Sequence, residues 1–155
     1  MKKKILLAIA AVLVIIQFFR IDKSAPEYNA EDDFFQHHVA TKEVQLLIES
    51  TCYDCHSYKT NYPFYSEIAP VSWWLADHIE DGRKHLNFSS WGTYEFKKAA
   101  HKLEECFEEV EEGEMPLESY AWIHGKLSKE DKEKLIQWAN LVRIQYQDEL
   151  KVSLN

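Results

Sequence analysis

A short run with reactive side chains at fixed spacing lies between Cys52 and His56, and reads Cys52-Tyr53-Asp54-Cys55-His56. A C-x-x-C-H pattern is typical of covalent attachment of a c-type haem. Each thiol can form a thioether with one vinyl group of the porphyrin, and two intervening residues let both sulfurs reach. The histidine that follows can bind the iron. The spacing predicts one covalent haem c on Cys52 and Cys55, with His56 as the proximal iron ligand.

Two other kinds of site also use a C-x-x-C pair. A zinc site would need His56 and Cys106 as further ligands, but such sites usually add a second close cysteine pair and Cys106 stands alone. A thioredoxin-like redox pair is expected beside a βαβ unit, and no strand pattern flanks this motif. Both alternatives stay open, although the haem interpretation is favoured. Cys106 falls on the apolar stripe of a predicted helix and is expected to be a reduced core residue.

Met115 is the candidate for the distal iron ligand. Apart from Met1 it is the only methionine, and it lies beside Pro116 in a predicted turn after Gly113. A thioether is a soft ligand for haem iron, and a Met/His pair raises the reduction potential. Histidines at four other positions compete for this role: His78, His85, His101 and His124.

Two further features bear on how a haem would be held. A prolyl carbonyl, of Pro63 or Pro70, is expected to accept the Nδ1–H of His56 and so to fix its tautomer. The basic cluster at residues 83–85 would either pair with haem propionates or balance nearby acids on a solvated surface.

Charge limits the partners of the chain. The formal net charge is -8, and the first 23 residues carry five of the 18 basic and one of the 26 acidic side chains. The remainder therefore has a net charge of -12, which argues against nucleic acid as a partner. Seven glutamates lie between Glu104 and Glu114. They are interpreted as a solvated helix face. The more specific alternative is a docking surface for a basic redox partner protein.

The first 23 residues predict a membrane segment. Three lysines precede an apolar run from Ile5 to Phe19 that only Gln17 interrupts. No small-x-small cleavage site follows, so an uncleaved anchor is favoured over a removed signal segment. The lysines predict a cytoplasmic N-terminus. The chain is then expected at the bacterial inner membrane, held by this single N-terminal helix, with its haem domain in the periplasm.

The rest of the pattern is helical, and apolar residues recur at helical spacing. Predicted helices begin at four sites: Thr41, Pro70, Ser89 or Ser90, and Ser128. The first of them delivers the chain to Cys52. The predicted organisation is a membrane segment at 1–23, a polar tether at 24–40, a haem-binding domain at 41–146 and a polar tail at 147–155.

From Thr41 to about Arg143, this order resembles the class I cytochrome c pattern. More specifically, the chain is similar to the bacterial haem-binding domain family of anchored monohaem proteins. Three stretches carry the similarity: 73–79, 82–88 and 114–117. The resemblance implies covalent haem at Cys52 and Cys55 with His56 as proximal ligand, and it transfers the distal ligand to Met115.

These observations together predict an all-α, cytochrome c-like helical domain around one covalent haem, preceded by an N-terminal membrane helix. The expected function is that of a c-type monohaem cytochrome, which transfers single electrons at the outer face of the inner membrane. No enzymatic activity is expected, because two protein ligands leave no open position on the iron. The alternative is a haem-based sensor or a peroxidase-like enzyme whose sixth ligand dissociates.

Overall fold

A computed structural model describes the backbone of residues 1–153 and the side chains of residues 1–149. This part of the chain forms helices and turns without a β-strand, which confirms the predicted all-α class. Its α-helices follow in chain order: α1 Lys2–Ile15, α2 Phe34–His37, α3 Lys42–Thr51, α4 Tyr53–His56, α5 Val71–His85, α6 Phe96–Glu112, α7 Glu118–His124 and α8 Lys129–Ser153. Short 3-10 helices lie between them at Ile16–Phe18, Ala30–Asp32, Phe64–Glu67 and Phe88–Thr93.

The predicted N-terminal membrane helix is wrong. Across residues 1–153, the structure contains no helix with the length and apolar character that a membrane span requires. The helix α1 has 14 residues, and the chain then tightens into a 3-10 turn. At a rise of 1.5 Å per residue it extends about 21 Å, against roughly 30 Å of bilayer hydrocarbon. For the same reason, the predicted location at the inner membrane with a periplasmic haem domain is wrong.

The segment after α1 is bound to the body of the protein. The Gln17 side chain donates to the Ala69 carbonyl at 2.9 Å and accepts from the Ala69 N–H at 3.0 Å. The Trp73 indole Nε1 donates to the Phe19 carbonyl at 2.8 Å. Both contacts fix the chain after α1 against the beginning of α5.

Side-chain caps mark the beginning of two of the predicted helices. The Thr41 hydroxyl accepts from the Val44 N–H at 3.3 Å, so it caps α3 as predicted. The Ser128 hydroxyl caps α8 in the predicted way. The predicted start of α6 at Ser89 or Ser90 is wrong. The Asn87 side chain accepts from the Ser89 N–H, which makes this stretch a 3-10 helix, and α6 begins only at Phe96.

A buried aromatic cluster forms the centre of the core. Its members are Phe34, Tyr53, Phe88, Trp91, Trp138 and Tyr146. Phe34 is 0% exposed although it falls within the predicted tether at 24–40, and its ring lies 4.6 Å from that of Trp91. The α8 helix closes the cluster, since its Tyr146 accepts a hydrogen bond from the Trp91 Nε1–H of the 3-10 helix Phe88–Thr93 at 2.7 Å. Residues 30–37 are therefore part of the folded domain.

Candidate functional site

A cavity of about 600 Å³ lies between α4, α5 and α6 and the chain that follows α6. All four of the residues predicted to hold a haem line it: Cys52, Cys55, His56 and Met115. These residues come from two stretches of sequence that are far apart along the chain. The fold therefore brings the predicted site together in one place, although the roles of the individual residues stay predictions.

The cysteine motif is held in a single helical turn. The Cys52 N–H donates to the Ile48 carbonyl at 2.9 Å, which joins the motif to the end of α3. The His56 N–H donates to the Cys52 carbonyl at 2.9 Å, which closes α4. Residues three apart lie on the same side of a helix, so both thiols reach one cavity. Tyr53, between them, points the other way and stacks on Phe88 in the aromatic cluster.

The His56 ring is oriented by the end of α5. Its Nδ1 lies 2.9 Å from the Gly82 carbonyl oxygen and 3.1 Å from that of Leu86. Because both partners can only accept, Nδ1 carries the hydrogen and Nε2 keeps a lone pair. Burial lowers the pKa of the ring, so the imidazole is neutral. The predicted prolyl acceptor is wrong, because the acceptors come from the last turn of α5.

Gly82 is a positioning residue that the sequence analysis missed. A Cβ at this position would lie 3.0 Å from the Cys55 carbonyl oxygen and 3.4 Å from Cε1 of His56. The absence of a side chain thus lets α5 approach the motif closely. The available signal was a glycine inside a helix, which costs about 1 kcal/mol relative to alanine and usually has a packing reason.

The three cysteines are free thiols. Burial raises the pKa of Cys55 to about 11 and that of Cys106 to about 11, and it raises the pKa of Cys52 as well. The thiols are therefore neutral at neutral pH. Cys106 is a free thiol that packs against the core, as expected, but it is only partly buried and also lines the cavity with the other two.

The zinc alternative needs three or four clustered ligands. Within the described residues, no group of three or more His, Cys, Asp or Glu side chains is placed to hold a metal ion. The motif thus lacks the ligand geometry of a zinc site in this part of the chain.

A helix end places Met115 on the cavity wall. Gly113 follows α6 with a φ of 88°, a conformation that suits glycine because it lacks a Cβ. The Glu109 carbonyl then accepts from the N–H groups of Gly113, Glu114 and Met115 at 3.2, 2.9 and 3.0 Å. The reversal is fixed by the backbone itself, and it turns the chain back along α6 toward the motif.

The competing histidines divide into two pairs. His78 and His85 line the cavity, so they share the site with Met115. His101 lies outside the wall and contacts Glu105, with Nε2 at 3.3 Å from its carboxylate. His124 also lies outside the wall, where it stacks on Tyr120 at 4.2 Å between ring centroids. The position of each ring thus leaves two histidines as possible alternatives to Met115.

Of the basic cluster at residues 83–85, only His85 lines the cavity. Arg83 donates from Nε to the Ser57 carbonyl at 2.8 Å and from Nη2 to the Thr60 hydroxyl at 2.9 Å, so it ties down the loop after the motif. Lys84 pairs with acids of its own helix. The interpretation of the cluster as a solvated surface thus fits Lys84. A different basic residue, Lys102, lines the cavity, and the sequence analysis missed it.

Comparison with protein families shows which family the chain belongs to. The model of the haem-binding domain matches residues 11–141. The chain belongs to the haem-binding domain family. No curated protein and no solved structure matches it significantly. As a haem-binding domain, the chain is a haem protein, and haem and metal binding follow from the family.

The cavity of this haem-binding domain fits such a group. Its volume lies within the usual range of cofactor pockets, about 300–1,000 Å³. Its donor atoms are also those that haem uses: two thiols for the vinyl groups, an imidazole Nε2 with a free lone pair, and a thioether. Bound haem iron would supply one-electron redox chemistry, and Cys52, Cys55, His56 and Met115 are the side chains on the wall that would hold it.

Proposed function

We propose that this haem-binding domain is a c-type monohaem cytochrome that transfers single electrons. Cys52 and Cys55 would form the thioethers, and His56 and Met115 would be the axial ligands. One observation carries the proposal: these four residues, 63 positions apart at their extremes, line the same cavity. Their chemistry matches the ligand set of a low-spin electron carrier and of few other proteins.

The axial ligands decide between electron transfer and catalysis. The neutral His56 ring, fixed by two carbonyls, and a thioether on a backbone-fixed turn would leave no iron position for a substrate. We therefore propose that the protein is not an enzyme. A redox partner protein is part of the proposal, and the acidic character of the chain favours a basic one over nucleic acid.

Covalent attachment is tested by replacing both motif cysteines. The pyridine haemochrome spectrum and the intact mass of the wild type should report one covalent haem. Cys52→Ser/Cys55→Ser should lose covalent haem completely, because no thioether can form. The matched control is Cys106→Ser, which lines the same cavity and should keep it. Wild-type protein without covalent haem would refute the c-type assignment.

The distal ligand is tested by Met115→Ala. The haem should stay attached, the reduction potential should fall, and the thioether-to-iron charge-transfer band of the oxidised protein should disappear. Leu117→Ala is the control, since Leu117 lines the same wall without a donor atom. If both variants keep the wild-type spectrum, His78 or His85 is the ligand. Ready binding of carbon monoxide by the reduced wild type would instead favour the sensor or peroxidase-like function.

A further inference from the structure

The α6 wall of the cavity carries a lysine at its N-terminal end. Lys102, Cys106 and Val110 of α6 line the cavity at intervals of four residues. This face extends about 12 Å at 1.5 Å per residue. The chain continues from it to Met115, which lies beyond the Val110 end. The lysine thus lies at the end away from Met115, and acidic side chains of the same helix, Glu105, Glu108 and Glu109, also line the cavity.

Lys102 is held at this end by its neighbours. Within residues 1–149, no other lysine or arginine lines the cavity. Its side chain is only 18% exposed, and its Nζ donates to the Glu105 carboxylate at 2.6 Å. His85 lines the same cavity. Lys102 and His85 are thus two hydrogen-bond donors on the wall of one cavity.

Haem has an apolar ring, and its two propionates lie at one edge of that ring. The two donors on the cavity wall could therefore bind the propionates. Burying a carboxylate is costly unless a cation or hydrogen-bond donor compensates it. The ammonium group has three N–H donors, so Lys102 can serve a second carboxylate while it keeps Glu105. The remaining acids on the wall, which are Asp81, Glu108 and Glu109, would repel a propionate.

Building on the proposed function, we infer that Lys102 binds a haem propionate, with His85 as the neighbouring donor. The propionate edge then lies at the α5–α6 end of the cavity, next to Glu105. The apolar part of the ring lies along Cys106 and Val110. Lys102 acts as a cofactor-binding residue that orients the haem within its plane, a role that the cysteine motif alone does not fix.

The experiment compares Lys102→Met with Lys97→Met in the full chain with its haem attached. Lys97 is exposed on the same helix outside the cavity, so the change in charge is matched. The readout is the propionate bending band in the resonance Raman spectrum, which responds to hydrogen bonding of the propionates. Lys102→Met should shift this band and lower the reduction potential, whereas Lys97→Met should leave both near their wild-type values.

Two further variants separate a propionate contact from an ion pair that only supports the fold. Lys102→Arg keeps the charge, so the band should stay near its wild-type position. Glu105→Gln releases Lys102 from its carboxylate, so the band should shift in the direction opposite to that of Lys102→Met. Equal bands in Lys102→Met and Lys97→Met would overturn the inference while leaving the cytochrome proposal intact. If the wild type gave no pyridine haemochrome spectrum, both this inference and the cytochrome proposal would be overturned.

Discussion

The two sides of the cysteine motif differ in composition. On one side, Cys52, Cys55 and His56 face a cavity whose wall contains a single Phe, Tyr or Trp among the described residues, Tyr120. On the other side, Tyr53 stacks on Phe88 at 5.1 Å and belongs to the buried aromatic cluster. Adjacent residues of one helical turn thus serve different purposes. The large rings stabilise the fold behind the motif, and small or charged side chains leave room in front of it.

This difference predicts that stability and haem chemistry respond to different substitutions. Trp91, which is 1% exposed, contacts Phe34 and donates to Tyr146 behind the motif. Trp91→Ala should lower the free energy of unfolding by about 3–5 kcal/mol because it leaves a cavity and removes the hydrogen bond to the Tyr146 hydroxyl. Urea unfolding followed by far-UV circular dichroism measures this loss.

The folded fraction of Trp91→Ala should keep the wild-type visible spectrum, in contrast to Met115→Ala. The control for Trp91→Ala is Trp122→Ala, since Trp122 is 78% exposed and should change stability by no more than about 0.5 kcal/mol. An altered haem spectrum in folded Trp91→Ala would show that the two sides are coupled.

A substitution at Gly82 should affect both the stability of the fold and the haem site, because α5 contacts the motif there. Gly82→Val should cost about 1–3 kcal/mol of stability, since the new side chain would meet the Cys55 carbonyl. It should also change the haem spectrum by displacing the carbonyls that hold His56. Lys84→Ala, on an exposed position of the same turn, should do neither. A Gly82→Val variant with wild-type stability and an unchanged haem spectrum would contradict this prediction. It would mean that α5 can move without disturbing the His56 ring.

The smallest expected effect concerns His38, which contacts the aromatic cluster. Its Nε2 lies 2.5 Å from the hydroxyl oxygen of Tyr146, which also accepts from the Trp91 Nε1–H. Burial lowers the pKa of His38 from 6.5 to about 4, so the unfolded chain takes up a proton first as the pH falls. Stability should decrease between pH 6.5 and pH 4 and level off below that window.

The loss through His38 should be about 1–2 kcal/mol, because solvent screens this partly exposed ring. It is measured by urea unfolding at pH 7 and pH 4.5. His38→Gln keeps an acceptor for Tyr146 and cannot titrate, so it should lose less stability over the same interval. An identical loss in both proteins would assign the pH dependence to other groups.

The sequence predicted four residues that share one cavity better than it predicted the rest of the cavity wall. Cys52, Cys55, His56 and Met115 could be singled out because residue type and neighbouring motif are local properties, although their roles stay predictions. The rest of the wall could not be predicted, because it depends on which face each helix turns inward. The aromatic residues around Phe34 pack behind the motif. The acceptors for His56 lie 26 and 30 positions further along the chain.

Errors in the fold have similar physical causes. The apolar run to Phe19 suggested one continuous span, but α1 ends at Ile15 and the chain turns to bind Ala69 through Gln17. The α7 helix was not predicted, because its seven residues are too few for a periodic pattern. Phe34 lies in a polar stretch, where two adjacent phenylalanines give no periodic pattern.

The contact between α5 and His56 has an electrostatic consequence. The Gly82 carbonyl lies in the last turn of a 15-residue helix, and the Leu86 carbonyl directly follows that helix. The aligned peptide dipoles of the helix leave partial negative charge at this end, so positive charge on the His56 ring, and on whatever the ring binds, is favoured by about 0.3–1 kcal/mol. With the axial ligands proposed above, this helix end would favour the oxidised state of the iron, and the thioether of Met115 would favour the reduced state.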